Sequence, residues 1–206
     1  MGMEFFMLMK QEWMIMAMLF ILLFIKVGNK EWKNEQILNL VNILLLVNLI
    51  AGLFMNQGGM LFNEMFKTNP LIAAEKTILS LGTYIIALQS YGWLKNHKHV
   101  LEFYMLLLST LLGMFFMISS GNLLMFWLGL ELSTIPLAAL ANFDLEKRKS
   151  SEAAFKFIIS SAFSSGLLLF GISLVYGLTG TLTFIELSRH LDGNPLEIFH
   201  LVILQI

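Results

Sequence analysis

Residues 122–143 read NLLMFWLGLELSTIPLAALANF, and Glu131 is the only charged side chain in this stretch. A transmembrane α-helix needs about 20 predominantly apolar residues, because each residue adds about 1.5 Å and the hydrocarbon core is about 30 Å thick. The stretch meets this length. It therefore predicts a helix that crosses a membrane and carries a carboxyl group near its middle.

The composition of the whole chain agrees with this stretch. The chain has 206 residues, of which 57% are hydrophobic and 13% are charged, against about 25% charged residues in soluble domains. This excludes a soluble enzyme and a disordered chain. The net charge of −1 gives no basic face for a nucleic-acid partner. The absence of cysteine excludes disulfides and thiolate-ligated iron–sulfur clusters.

Hydrophobic runs predict an all-α integral membrane protein, a polytopic helix bundle. We expect six complete spans, approximately at residues 5–27, 37–55, 71–94, 101–119, 122–143 and 152–178. A seventh helix begins near Leu196 and stops at Ile206. Eleven residues are too few to cross a bilayer, so we expect the chain to be the N-terminal part of a longer protein or a split product.

Lysine and arginine residues predict the orientation of the spans, because cytoplasmic loops are enriched in them. Connections 1–2, 3–4 and 5–6 hold eight of these residues: Lys26, Lys30, Lys33, Lys95, Lys98, Lys147, Arg148 and Lys149. Connections 2–3 and 6–7 hold two, Lys67 and Arg189. We therefore expect a multi-pass protein whose N-terminus lies outside.

Three connections have features of their own. Residues 56–70 open with a Gly-Gly turn between short apolar runs and predict a small hairpin on the outside. Residues 179–195 carry apolar side chains at helical spacing and predict a short helix in the outer interface. Ser151 is expected to cap the sixth span.

Glu131 is the strongest candidate for a functional residue. It lies about ten residues from either end of the fifth span, and ionisable groups at such depth usually face a bundle interior or a water-filled cavity on an ion pathway. Pro136, five residues later, leaves the Leu132 carbonyl without its usual helix partner and makes this point deformable. The alternative is a neutral glutamic acid that hydrogen-bonds between helices, in a helix with an ordinary proline kink.

Lys156 is the second candidate, about five residues inside the sixth span. A lysine there can extend its charge to the interface. It can also approach Glu131 through one or two waters, since the two spans are antiparallel neighbours. The small residues of the sixth span favour tight packing, with a hydrated path as the alternative. Glu12, Lys76 and Glu102 lie closer to span ends and are expected to be interfacial.

A family resemblance rests on two stretches. FWLGLELSTIPLAALANF, a basic loop, and then SSEAAFKFIISSAFSSGLLLFGISLVYGLTGTLTF together resemble the antiporter-like membrane subunits of respiratory complex I. The resemblance is dense from about residue 101 to 187 and diffuse before it. It divides the chain into an N-terminal three-helix segment, 1–100, and an incomplete first part of the proton-translocation repeat, 101–206.

The resemblance implies the N-terminal part of an inverted-repeat, antiporter-like fold in a bacterial inner membrane. Glu131 matches the family's fifth-helix glutamate and Lys156 its sixth-helix lysine, while the seventh-helix lysine would lie beyond Ile206. The implied function is proton translocation coupled to electron transfer from NADH to quinone. The implied partners are other membrane subunits of complex I, protons and the bilayer. NAD, FMN, iron–sulfur clusters and quinone would be held by partner subunits and none by this chain.

Two other functions stay open from the sequence. One is a subunit of a multisubunit cation/proton antiporter, for which sodium dependence would be typical. The other is a non-translocating membrane scaffold, in which Glu131 is only hydrogen-bonded and its replacement by leucine would be neutral or stabilising.

Overall fold

The computed structural model describes residues 6–28, 32–54, 58–144 and 147–193. Within these ranges the chain forms seven helices of more than one turn and one two-stranded hairpin. The helices are α1 (Lys10–Val27), α2 (Asn34–Leu53), α3 (Pro70–Leu94), α4 (Val100–Ile118), α5 (Leu123–Ala141), α6 (Arg148–Thr179) and α7 (Phe184–Gly193). The strands are β1 (Gly59–Leu61) and β2 (Phe66–Thr68), which pair antiparallel.

The expected membrane character is confirmed for most of the bundle. Five described helices, α2 to α6, are long and apolar enough to cross a membrane. Helix α1 has 18 residues but carries Lys10, Glu12 and Lys26, so it falls outside this group. The seventh span expected near Leu196 lies outside the described residues.

Local sequence fixes the ends of several helices. Asn69 precedes Pro70, and its Oδ1 accepts a hydrogen bond of 2.7 Å from the Ile72 amide at the start of α3. Asn122 caps α5 in the same way through the Met125 amide, also at 2.7 Å. Helix α6 ends at Gly180, whose φ of 69° is a left-handed conformation that suits glycine.

Helix α6 begins earlier than the sequence predicted. Lys147 is its N-cap and Arg148 its first residue, so Ser151 is not the cap that we expected. Instead the Ser151 hydroxyl donates to Asn142 Oδ1 at 3.0 Å and the Ser150 hydroxyl donates to the Ala141 carbonyl at 2.8 Å. The first turn of α6 uses its hydroxyls to hold the end of α5 rather than its own amides.

The apolar core lies between α1, α2, α3 and α4. Its fully buried side chains include Ile15, Leu22, Leu45, Tyr104 and Phe115. Helix α5 packs against α4, and α6 packs against α5. Much of α6 faces away from the described chain, since Phe155, Phe163 and Phe170 are all more than half exposed. Such a surface suits lipid or further membrane helices.

The turn between α4 and α5 joins three connections at one end of the bundle, called here the hairpin side. The Gly121 amide donates to the Met65 carbonyl at 2.7 Å, and the Phe184 amide donates to the Gly121 carbonyl at 3.1 Å. A Cβ atom at Gly121 would lie 1.7 Å from the Glu64 carbonyl oxygen, so only glycine fits here. The predicted hairpin is confirmed, and the predicted short helix after Thr179 is α7.

The opposite end of the bundle, called here the basic side, is held by ion pairs and stacked rings. Lys26 pairs with Glu102 at 3.1 Å and Lys95 with Glu35 at 2.7 Å. Glu102 thus lies at the helix edge where the sequence placed it. His97 stacks on Phe143 with ring centroids 4.8 Å apart, which ties the α3–α4 connection to the end of α5.

Candidate functional site

Glu131 lies within α5 and contacts α6. Its Oε1 accepts a hydrogen bond from the Ser165 hydroxyl, and Ser165 itself is buried. Trp127, one turn earlier on α5, donates its Nε1 proton to the Ser165 hydroxyl at 2.8 Å and lies 3.3 Å from the Ser165 carbonyl. Trp127 and Glu131 are four residues apart and therefore lie on the same helix face.

The donor and acceptor roles in these hydrogen bonds follow from the chemistry of the indole group. The indole N–H can only donate, so the Ser165 oxygen accepts from it and turns its own proton toward Glu131. Glu131 Oε1 is therefore an acceptor whether the carboxyl group is ionised or neutral. The second carboxyl oxygen takes no part in this arrangement.

The segment after Glu131 lacks one regular helix hydrogen bond. Helix α5 continues through Pro136, which has no amide proton to give to the Leu132 carbonyl. The Ser133 hydroxyl donates to the Leu130 carbonyl at 2.8 Å, and the Thr134 hydroxyl lies 3.4 Å from the Glu131 carbonyl. Side-chain hydroxyls thus supply extra donors beside the proline, as is usual for prolines in membrane helices.

Lys156 does not contact Glu131 in this structure. Its Nζ pairs with Glu152 on the same helix at 2.5 Å, and its side chain is 73% exposed. Lys156 precedes Ser165 by nine residues, which is roughly 13 Å along the axis of α6. The structure therefore brings Glu131 together with Ser165 and Trp127, and leaves Lys156 toward the basic side.

Glu12 and Lys76 are buried, so the expectation that they are interfacial is wrong. Their carboxylate and ammonium groups lie 2.5 Å apart, and the side chains are 1% and 2% exposed. The sequence did offer one signal for this pair, because Glu12 and Lys76 carry opposite charges at similar depth in the first and third spans. Nothing local to either helix shows that α1 and α3 meet at this point.

Polar contacts continue from this ion pair along the three N-terminal helices. Gln11 Nε2 lies 3.3 Å from Thr77 Oγ1, and Asn48 donates to Ser80 at 3.1 Å. These pairs join α1 to α3 and α2 to α3. In the part of the chain that the structure describes, no group of three or more His, Asp or Glu residues is placed to hold a metal ion.

Two ion pairs at the ends of the spanning helices are exposed to solvent. The Glu35 carboxylate raises the pKa of Lys95 by a hydrogen bond and by its charge. Asp144 raises the pKa of Lys147 in the same way, at a distance of 2.5 Å. Both lysines remain charged at neutral pH and keep the basic side positive, in line with the distribution of charge in the sequence.

The helical bundle and its sequence are similar to those of membrane subunits of respiratory complexes. Residues 120–205 match the family described as "NADH:quinone oxidoreductase/Mrp antiporter, TM". The chain is also similar to curated proteins named NADH-quinone oxidoreductase subunit N. It is 43% identical to that of Phocaeicola vulgatus over 91% of its own length, and 36% identical to that of Azobacteroides pseudotrichonymphae over 93%.

The chain spans about two fifths of the length of these relatives, 40% and 41% respectively. Its fold is found in respiratory complex I from Thermus thermophilus with bound aureothin, with a TM-score of 0.69, 23% identity and coverage of 84% of this chain and 38% of that one. An archaeal membrane-bound sulfane sulfur reductase, a respiratory membrane complex, matches with a TM-score of 0.63, 20% identity and coverage of 86% and 38%.

Proposed function

We propose that the chain is part of a proton-translocating membrane subunit of an NADH:quinone oxidoreductase, and that Glu131 carries the proton. The observation that supports this most is the hydrogen-bonded series from Trp127 through Ser165 to Glu131, which lies inside spanning helices. An ionisable group at this depth costs about 2.5–3.5 kcal/mol on insertion scales. A hydroxyl fixed by an indole offsets part of that cost and holds the carboxyl group in one position.

Proton transfer then follows from the charge of the surroundings. When a cation is near, Glu131 is stable as a carboxylate, and when the cation moves away, the buried carboxyl group takes up a proton. Lys156 is the candidate cation within this chain, because its long side chain is bound only to an exposed partner on its own helix. Pro136 supports the local movement that such a change in charge requires.

In this proposal α1 is a sixth spanning helix, because pairing of Glu12 with Lys76 removes the main obstacle to its burial in a membrane. The N-terminus lies outside, and the membrane is the bacterial inner membrane. The partners are the other membrane subunits of the complex. NAD, FMN, iron–sulfur clusters and quinone belong to partner subunits and not to this chain. This chain carries out no redox step itself. The names of its relatives favour this assignment over a cation/proton antiporter.

The test is Glu131→Gln in the full-length protein within its native complex. Glutamine keeps the size and the acceptor oxygen but cannot release a proton, so proton translocation per NADH oxidised should fall sharply while the complex remains assembled. Glu64→Gln, in the exposed turn of the hairpin, is the matched control and should pump normally. Unchanged translocation in an assembled Glu131→Gln complex would contradict the proposal, and sodium-dependent transport would favour the antiporter.

A further inference from the structure

Two aromatic rings also contact the ion pair between Glu12 and Lys76. The Lys76 ammonium lies 5.0 Å from the centroid of the Phe66 ring and 5.9 Å from that of Phe115. Aromatic faces attract cations at such distances. The hairpin and α4 therefore each add a favourable contact to the Lys76 ammonium group.

One oxygen of Glu12 is left without a partner. Glu12 Oε1 accepts the hydrogen bond from Lys76, whereas Oε2 is buried and has no hydrogen-bond partner among the described residues. Gln11 Oε1 is in the same situation. Buried polar atoms of this kind are rare and costly. Gln11 and Glu12 line the same cavity, which indicates a place for something that donates hydrogen bonds.

A small cavity lies next to these oxygens. Its volume of about 20 Å³ is enough for one water molecule, and the polar lining offers the two or more partners that a buried water needs. Gln11, Glu12, Lys76 and Thr68 line it, together with Met7. Met7 is 38% exposed and Thr68 belongs to the hairpin, so the cavity lies close to the surface on the hairpin side.

We propose that Glu12 and Lys76 form a second proton-binding site, which exchanges protons with the hairpin side through water in this cavity. A hydronium ion gives its proton to Glu12 Oε2, an O–H bond forms, and a water molecule remains in the cavity. Lys76 keeps its protons and its hydrogen bond to Oε1. The site belongs to α1 and α3 and is separate from Glu131 on α5, so it does not depend on the function proposed for Glu131.

The charged groups around the site are few. Lys10 is the third charged residue that lines the cavity among the described residues, and it lies partly exposed at its rim. Phe66 of the hairpin and Phe115 of α4 contact the Lys76 ammonium through uncharged rings. With two cations beside one carboxylate, uptake of a proton by Glu12 changes the charge of the site from +1 to +2. Water access from the hairpin side compensates for this change.

A purely structural ion pair makes a different prediction, because its carboxylate never takes up a proton. The two cases are separated by infrared difference spectra of the native complex in lipid bilayers, recorded between acidic and neutral pH. We expect the wild type to show the C=O stretching band of a protonated carboxyl group that is lost in Glu12→Gln. Glu64→Gln and Glu131→Gln should keep that band, which makes the result independent of Glu131.

The spectra of the Glu12 variants support or overturn the proposal. If Glu12→Gln retains every titrating carboxyl band of the wild type, Glu12 is permanently ionised and the proposal is wrong. If Glu12→Gln does not assemble, the exchanged variant E12K/K76E is used, since it keeps one carboxylate and one ammonium group at the cavity. A carboxyl band that is shifted in this variant relative to the wild type supports proton binding here. A carboxyl band at the wild-type position overturns the proposal.

Discussion

Glu131 accepts a hydrogen bond from a hydroxyl, whereas Glu12 accepts one from an ammonium group. At the scale of single residues this difference sets what each carboxyl group can do. A hydroxyl donates to either charge state of its partner, so the proton exchange proposed for Glu131 needs little rearrangement. An ammonium group favours the carboxylate, so the proton uptake proposed for Glu12 needs support from water.

Ser165→Ala tests the positioning of Glu131. The change removes the hydroxyl that donates to Glu131 and accepts from Trp127, and a buried polar atom left without its partner costs roughly 1–3 kcal/mol. We expect lower thermal stability of the complex and reduced proton translocation. Ser164→Ala is the matched control, because the Ser164 hydroxyl donates to the Ser160 carbonyl of its own exposed helix face. Equal behaviour of the two variants would contradict a role for Ser165.

At the scale of helices, α4 and α5 cross with their backbones in close contact. A Cβ atom on Gly113 would lie 2.4 Å from the Ser133 nitrogen, and one on Gly129 would lie 2.5 Å from the Met117 nitrogen. The neighbouring atoms are backbone and cannot move aside as a flexible side chain could. Small residues allow such close approach in membrane helices, and this crossing fixes the depth of Glu131 relative to the core.

Gly113→Ala should therefore separate α4 from α5. Overpacking of this kind costs typically 1–3 kcal/mol, and we expect a lower melting temperature and weaker assembly. Gly82→Ala on α3 is the control, because nothing lies within 4 Å of a Cβ atom at that position. Alanine is a better helix former than glycine by about 1 kcal/mol, so this control should be neutral or stabilising. Thermal unfolding of both variants in detergent measures the difference.

The start of α7 depends on one carboxylate. The hydroxyls of Thr181 and Thr183 donate to Glu186 Oε2, the latter at 2.8 Å, and these hydrogen bonds lower the pKa of Glu186 below its usual value. A lowered pKa means that the stabilisation is present above the usual carboxyl pKa and is lost as the pH falls through the lowered value. The first turn of α7 should therefore loosen in acid.

Thr183→Ala gives a direct measurement of this effect. Without one of its two hydroxyl donors, Glu186 should titrate at a higher pH than in the wild type, as followed by NMR of labelled glutamate side chains. Thr179→Ala is the control, since the Thr179 hydroxyl contacts the carbonyls of Val175 and Thr181 and not Glu186. An unchanged titration midpoint in Thr183→Ala would show that these hydrogen bonds do not govern the carboxylate.

At the scale of the whole molecule, the two ends of the bundle differ in chemistry. The hairpin side is joined by backbone hydrogen bonds between three connections, around Gly121. The basic side is joined by ion pairs such as Lys26 with Glu102. Positive charge at one end sets the orientation in a membrane, so the basic side should be cytoplasmic and the hairpin side external.

The natural absence of cysteine makes this orientation easy to test. Met65→Cys places a thiol on the exposed hairpin turn, and Lys98→Cys places one on the exposed basic side. In intact cells a membrane-impermeant thiol reagent should label the first variant and not the second, and both should react after the membrane is permeabilised. The reverse pattern would place the N-terminus inside and contradict the proposed orientation.

Much of this architecture follows from the sequence alone. Hydrophobic length predicted the spanning helices, the Gly-Gly turn predicted the hairpin, and the depth of Glu131 identified a candidate carboxyl group. These features are local, because the membrane requires each helix to satisfy its own backbone and to be long enough to cross.

The tertiary structure decided which side chains meet. Whether Glu131 faces Ser165 or Lys156 depends on how α5 and α6 are displaced and rotated relative to each other, because the two residues are roughly 13 Å apart along α6 and on opposite faces of it. The burial of Glu12 with Lys76 depends on the contact between α1 and α3, which are far apart in the sequence. Composition and periodicity contain no information on such contacts, because every apolar helix face packs almost equally well until the bundle fixes its neighbours.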